Sequence, residues 1–158
     1  ARHVPVTDGA LAGPDGPRPF HLAIRVGDLA DAEAFYSGLL GADVGRRSDL
    51  WIDFDLGGHQ VTVHLDESMK DPEEAGNPVD GDQVPVPHFG VVLPFDDWRA
   101  LADRLVARGA EFVIAPRVRF EGQPGEQGTL FLRDPSGNAL EFKGFRRADR
   151  LFDASGAY

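Results

Sequence analysis

The chain has 158 residues, a formal net charge of −10, 42% hydrophobic residues and no cysteine. That length suits one compact domain burying roughly 70% of the surface its unfolded chain exposes, and the lack of cysteine excludes thiol nucleophiles, thiolate metal sites and disulfides, leaving nitrogen and oxygen donors for any metal. No basic run exceeds Arg46-Arg47 or Arg146-Arg147 and no apolar run approaches a bilayer span, so neither nucleic acid nor membrane is an expected partner.

Residues 1–19, with Pro5, Gly9, Gly13, Pro14, Gly16, Pro17 and Pro19, carry no hydrophobic period and read as a flexible, extended N-terminal arm. The N-terminus lacks the charged-then-apolar layout of a secretory signal, and a cytoplasmic location is expected. A domain over 20–145 begins at Phe20 with an alternating strand, 20–26. An amphipathic helix follows, with Leu29, Ala32, Phe35, Tyr36, Leu39 and Leu40 on one side, Asp28 before it and Gly41 after it. Strands are expected at about 43–47, 50–56 and 59–66. An acidic, Pro- and Gly-rich linker, 67–87, separates this unit (20–66) from a second (88–145).

The second unit opens with a strand, 88–93. In its helix Trp98, Leu101, Ala102, Leu105 and Val106 form one apolar stripe, with Asp96 as the expected N-cap and Gly109 as the C′ residue. Three more strands are expected at about 111–120, 128–133 and 139–145. The tail, 146–158, carries Leu151 and Phe152, which are expected to pack back on the domain or on a partner subunit.

The two units repeat one another. His21 and His88 lie 67 positions apart, Gly41-Ala42-Asp43-Val44 and Gly109-Ala110-Glu111-Phe112 lie 68 apart, and Asp55-Leu56-Gly57-Gly58-His59 and Asp134-Pro135-Ser136-Gly137-Asn138 lie 79 apart. The same element order therefore occurs twice. The expected fold is α+β: two tandem βαβββ units forming a cupped mixed sheet with the helices on its outer face.

Strand parity then selects residues. Leu22, Ile24 and Val26 point to the helix side and His21 and Ala23 away from it; Phe89, Val91 and Leu93 point to the helix side and His88 and Gly90 away; Leu140 and Phe142 point to the helix side and Glu141 and Lys143 away. Taken singly, a strand histidine is more often structural, and a strand carboxylate is often an edge charge. Together, His21, His88 and Glu141 make a two-histidine, one-carboxylate set on the face the helices leave open. Such a set holds a divalent metal and keeps coordination positions free.

The duplicated pattern, the opening Phe20-His-Leu-Ala-Ile-Arg-Val26, the Phe35-Tyr-Ser-Gly-Leu-Leu-Gly41 segment and Asp134-Pro-Ser-Gly-Asn-Ala-Leu-Glu-Phe142 resemble the vicinal oxygen chelate superfamily. That superfamily includes glyoxalase I, methylmalonyl-CoA epimerase, fosfomycin resistance enzymes, bleomycin-binding proteins and extradiol ring-cleaving dioxygenases. The resemblance spans about 20–145 and implies metal ligands at His21, Thr62, His88 and Glu141. Glyoxalase I and the epimerase usually bring Glu or Gln near the Thr62 position. A threonine there weakens the glyoxalase reading, and a three-ligand site resembles extradiol dioxygenases and fosfomycin enzymes.

His64, two residues beyond Thr62, shares its face. It reads as a solvated strand-end histidine, as an acid/base, or as a fourth ligand if a bulge shifts the strand. Trp51 and Asp53 share a parity and are candidates to line the cup. The segment 117–127 is either a solvated hairpin loop or a lid, with Arg119, Glu126 or Gln127 meeting substrate. His3 and His59 receive no role.

The leading expectation is an Fe(II)- or Mn(II)-dependent dioxygenase of extradiol type acting on a small bidentate substrate such as a catechol, with Ni, Co or Zn as other metals the donors suit. The alternatives are a non-redox glyoxalase-like lyase or isomerase, a thiol transferase, and a metal-free bleomycin-type drug-binding protein. The intact His, His, Glu set argues against that last one. Superfamily members commonly pair, and a homodimer is expected.

Overall fold

The computed structural model describes residues 12–13, 16–70, 77–79 and 82–153. The first unit runs β1 (His21–Val26), α1 (Leu29–Glu33) continued by a π-helical turn (Ala34–Leu39), β2 (Asp43–Arg47), β3 (Trp51–Leu56) and β4 (His59–Leu65). The second runs β5 (His88–Phe89), β6 (Val92–Pro94), α2 (Phe95–Ala107), β7 (Ile114–Arg119), β8 (Gln127–Arg133) and β9 (Ala139–Phe145).

Each unit folds into its own sheet, in the order β1-β4-β3-β2 and, for the second, β6-β9-β8-β7 with β5 also pairing β9. The first strand of each lies parallel to the last, and the remaining pairs are antiparallel. The result is two open mixed sheets of four and five strands, the α+β arrangement expected from the repeat. No helix among the described residues is long and apolar enough to cross a membrane.

The helices begin and end for local reasons. Asp28 caps α1, its carboxylate accepting from the Asp31 amide at 2.9 Å, and the π-helical turn spaces Phe35 and Leu40 by five residues, with a 2.9 Å bond from Leu40 N to Phe35 O. Asp96 is not the N-cap of α2: Pro94 is, without a side-chain bond, and Asp96 and Asp97 sit in the first turn. There they complement the helix dipole, as acidic residues do, and the fixed φ of proline favours the entry. Gly109 follows α2 at φ +70 and Gly41 closes the first helical segment at φ +81, conformations that a side chain would strain.

Burial follows the expected parity. One core cluster includes Val26, Tyr36, Ile52, Phe54, Trp98, Leu105, Leu130, Leu140 and Phe142. The fully buried Trp98 lies across paired Gly128 and Gly144, where an added Cβ would come within 2.4 and 2.5 Å of its side chain, and its Nε1 donates to Phe142 O at 3.1 Å. The strand expected over 88–93 is interrupted at Gly90, where a Cβ would fall 1.5 Å from Glu141 O. β5 and β6 keep one register on β9 across that break.

The turn Asp134-Pro-Ser-Gly-Asn138 joins the units. Asp134 Oδ1 accepts from the amides of Ser136 and Asn138, and Oδ2 accepts from the Tyr36 hydroxyl at 2.8 Å. Asn138 Nδ2 donates to Arg25 O and Ser136 Oγ accepts from Gly27 N, both at 2.8 Å.

Outside the two sheets, residues 12–13 pair with 16–17, and within 67–87 a 3₁₀ turn (Glu67–Lys70) precedes the paired strands Asn77–Val79 and Asp82–Val84. Of the expected arm, 1–11 and 14–15 lie outside the described residues, and 18–19 are exposed and in no strand. In the tail, Leu151 is half-buried, whereas Phe152 is 91% exposed.

Candidate functional site

On the second sheet, parallel pairing aligns His88 with Ala139, two residues before Glu141. His88 Nε2 lies 3.1 Å from Glu141 Oε2, the side chains being 29% and 13% exposed. His88 Nδ1 lies 2.6 Å from Pro85 O. A carbonyl oxygen only accepts, so Nδ1 carries the hydrogen and donates, and Nε2 faces a carboxylate oxygen. Glu141 Oε1 accepts from the Thr129 hydroxyl at 2.9 Å. Phe131 packs edge-on to the His88 ring at 5.0 Å between centroids.

These partners fit a metal-ligating pair. A ligating histidine donates its second ring N–H to a carbonyl or carboxylate, and a ligating carboxylate is itself hydrogen-bonded; both conditions are met. Two acceptors facing each other at 3.1 Å also require a proton or a cation between them. The pair borders a cavity of about 240 Å³ lined by Val84, Ile114, Phe131, Arg117, Arg119 and Lys143 among others.

His21 stands elsewhere, exposed on the open face of the first sheet. The structure brings His88 and Glu141 together and leaves His21 out, and among the described residues no group of three or more His, Asp or Glu side chains could hold a metal. The register places His21 beside Gln60, Ala23 beside Thr62 and Asp53, and Arg25 beside His64 and Trp51. His64 shares the His21 face, is exposed, and is not among the residues lining the cavity.

Thr62 is not a bare replacement for a carboxylate. Its hydroxyl donates to Asp53 Oδ1 at 2.6 Å, and Oδ2 of the buried Asp53 accepts from Arg46 Nε and Gln60 Nε2, each at 3.2 Å. Burial opposes ionisation of Asp53, but these three donors outweigh it and hold the carboxyl below its usual range. Arg46, thus tethered, lies 5.7 Å over the Trp51 ring with its side chain 79% exposed.

Of the segment 117–127, Arg119 reaches the cavity. Gln127 pairs across the sheet with Arg119 and Phe145 and is not among the residues lining the cavity. Glu126 is held by Arg146 at 3.2 Å, whose guanidinium sits 3.9 Å over Phe95, so this end of the segment is tied to the start of α2. Sequence reading passed over Thr129 and Pro85. Thr129 had a signal, since it alternates with Phe131 on the open face; a backbone carbonyl has none. His59, left without a role, accepts from Phe20 N through Nδ1 at 2.8 Å and pins the entry to β1.

Solved structures repeat this architecture. A glyoxalase/bleomycin resistance protein/dioxygenase from Alicyclobacillus acidocaldarius is 35% identical, with a TM-score of 0.68 over 85% of this chain and 96% of that one. A genomically encoded fosfomycin resistance protein from Listeria monocytogenes (18% identity, TM-score 0.58, 83% and 95% covered) and a lactoylglutathione lyase from Agrobacterium tumefaciens (21%, 0.54, 80% and 92%) share the fold. No curated protein matches the sequence. Residues 18–142 match the superfamily's sequence profile, and the chain belongs to the Glyoxalase/Bleomycin resistance protein/Dioxygenase superfamily.

Proposed function

We propose that the protein is a metal-dependent enzyme acting on a small molecule with two adjacent oxygens, and that His88, Glu141 and His21 hold its metal. The observation that carries this reading is the facing of His88 Nε2 and Glu141 Oε2 at 3.1 Å, each oriented by its own partner. A divalent metal there, with iron(II) favoured and manganese, nickel, cobalt or zinc compatible with the donors, would supply a Lewis acid toward the substrate oxygens.

The pair is half of a site, and His21 supplies the other half from the first sheet. Two copies related by a two-fold axis, each laying its first sheet against the other's second, would form two such sites at once. Phe20 and Leu50, just before β1 and β3 and each 65% exposed, offer apolar surface for that contact. The homodimer is part of the proposal. In it, His64 would hold or move a proton on the first-sheet side, Trp51 would wall the substrate, and Arg119 would meet it from β7.

For the reaction class we favour extradiol-type oxidative ring cleavage, because a site of three protein donors leaves room for a bidentate substrate and dioxygen. The buried Asp53 favours a second reading, a non-redox lyase or isomerase, since it places a carboxylate at the level of Thr62. Anaerobic loading with Fe(II), addition of catechol-type compounds and then admission of air separates the two. Oxygen uptake tied to substrate loss supports the first reading. Equal turnover without oxygen, or with Zn or Ni in place of Fe, replaces it with the second.

A further inference from the structure

The open face of the first sheet presents Arg46, which the metal reading does not use. On β2, Val44 pairs with Phe54 and Arg47 with Ile52, so Gly45 and Arg46 together oppose Asp53 on β3. Two residues against one make a β-bulge, and a bulge re-aims side chains. Without it, alternation would put Arg46 on the helix side with Val44. With it, Arg47 turns to the helix side and meets Glu33 of α1 at 2.6 Å, while Arg46 joins Asp53 on the open face.

Arg46 is held at two points. Its Nε donates to Asp53 Oδ2 at 3.2 Å, and its guanidinium carbon lies 5.7 Å from the centre of the Trp51 ring. Asp53 is itself fixed: it is 5% exposed, Thr62 donates to its Oδ1 at 2.6 Å, and Gln60 donates to its Oδ2 at 3.2 Å. The Arg46 side chain is nonetheless 79% exposed, and among the described residues its Nη1 and Nη2 meet no acceptor. An ion pair this open to solvent adds little stability, and burying the carboxylate costs desolvation. What the arrangement achieves is orientation: a planar fork with its stem fixed against an indole and its outer edge free to bind.

The sheet order β1-β4-β3-β2 sets His21 on one edge strand and Arg46 on the other, roughly 14 Å apart at the backbone across three strand spacings. Trp51 and Asp53, on β3, stand next to Arg46 between the two. We infer that Arg46 is a specificity-determining residue for a substrate that carries a carboxylate at the end remote from its two adjacent oxygens. Nη1 and Nη2 donate to that carboxylate, Trp51 walls the body of the molecule, and Asp53 is the positioning residue that aims the guanidinium. Paired donation from an arginine fork to a carboxylate belongs to the stronger class of hydrogen bond and fixes direction as well. The position of this face in the substrate cleft rests on the proposed function; the contact between Arg46 and a carboxylate does not.

Dihydrocaffeate carries a catechol and, beyond two methylenes, a carboxylate; its amide keeps the shape and loses the charge. Titrated by calorimetry into the Mn(II)-loaded protein under nitrogen, the acid is expected to bind at least about tenfold more tightly than the amide. Arg46→Gln should bring the two within about twofold, and Arg46→Lys, a point charge without the fork, should restore only part of the preference. Asp53→Asn separates aiming from charge alone. It removes a negative charge beside Arg46, so a site working by potential would bind the acid more tightly, whereas loss of aiming weakens the acid and leaves the amide unchanged. Thermal melting checks that each variant is folded at the titration temperature, and Arg46→Lys carries the comparison if Arg46→Gln is not. Hydrocinnamate and hydrocinnamamide, titrated into the metal-free protein, measure the same preference without the metal. A preference there that the Arg46 variants reduce supports the inference even if no metal is taken up, and only the metal reading then falls. Equal affinity for acid and amide in both arms, a preference untouched by the Arg46 variants, or tighter acid binding in Asp53→Asn overturns the inference.

Discussion

Tyr36 and Asp134, 98 residues apart in sequence, meet in the core, the Tyr36 hydroxyl donating to Asp134 Oδ2 at 2.8 Å. Both are buried, and the same carboxylate organises the turn that joins the two units. Tyr36→Phe should lower stability by about 1.5–3 kcal/mol, the usual range for a bond to a charged group. Burial, then the Asp134 charge and hydrogen bond, push the Tyr36 hydroxyl well above its ordinary value. The fold thus favours the neutral phenol, a contribution complete below the unfolded tyrosine value of about 10 and lost as pH rises past it. Urea melts across alkaline pH check this: wild type should lose stability there more steeply than Tyr36→Phe, and parallel curves would contradict it.

Asp53 gives the opposite pH signature. Its carboxyl lies below the usual range despite burial, because Thr62, Arg46 and Gln60 donate to it. That contribution is present above the unfolded aspartate value of about 4 and is lost as pH falls through the depressed folded value. Asp53→Asn should therefore cost stability near neutrality, on the order of 1–3 kcal/mol, with the deficit closing in acid. A deficit that stays constant down to acid unfolding would argue against the assignment.

Metal content tests the proposed ligands. His88→Ala and Glu141→Ala should each abolish tight uptake of divalent metal, and Thr129→Val should weaken it by about 10–100-fold, as loss of an orienting partner does. Unchanged content in all three variants would end the reading.

Sharing between copies is separable from the ligand set. His21→Ala and Glu141→Ala proteins should each be metal-poor alone; mixed, unfolded and refolded together, they should recover metal in the heterodimers, where one site keeps all three ligands. No recovery, or a monomeric mass by light scattering at micromolar concentration, would end the sharing between copies, and a His21→Ala protein that keeps its metal would place His21 outside the site.

His64→Ala addresses proton handling. If His64 moves a proton during turnover, its loss should slow the reaction by about 10²–10⁴ with metal content intact. A rate within a factor of about two of wild type would assign the residue to the surface.

The sequence carried what depends on period and repeat. Alternation told which side of each strand is buried, the recurrence of His21 at His88 and of Gly41 at Gly109 announced two units, and parity placed Glu141 and Lys143 on the open face of the second sheet. These are local properties, written in neighbouring residues. What joins distant strands was not written there. Sequence parity put His21, His88 and Glu141 on like faces but could not say how the two faces lie relative to each other, and folding gathered only His88 and Glu141. Nor could it see that Pro85 O would fix the His88 ring, that Asp53 would bond the threonine where a carboxylate was sought, or that α2 would start without a side-chain cap. Each depends on a cross-strand neighbour or a backbone group whose position only the packed sheet decides.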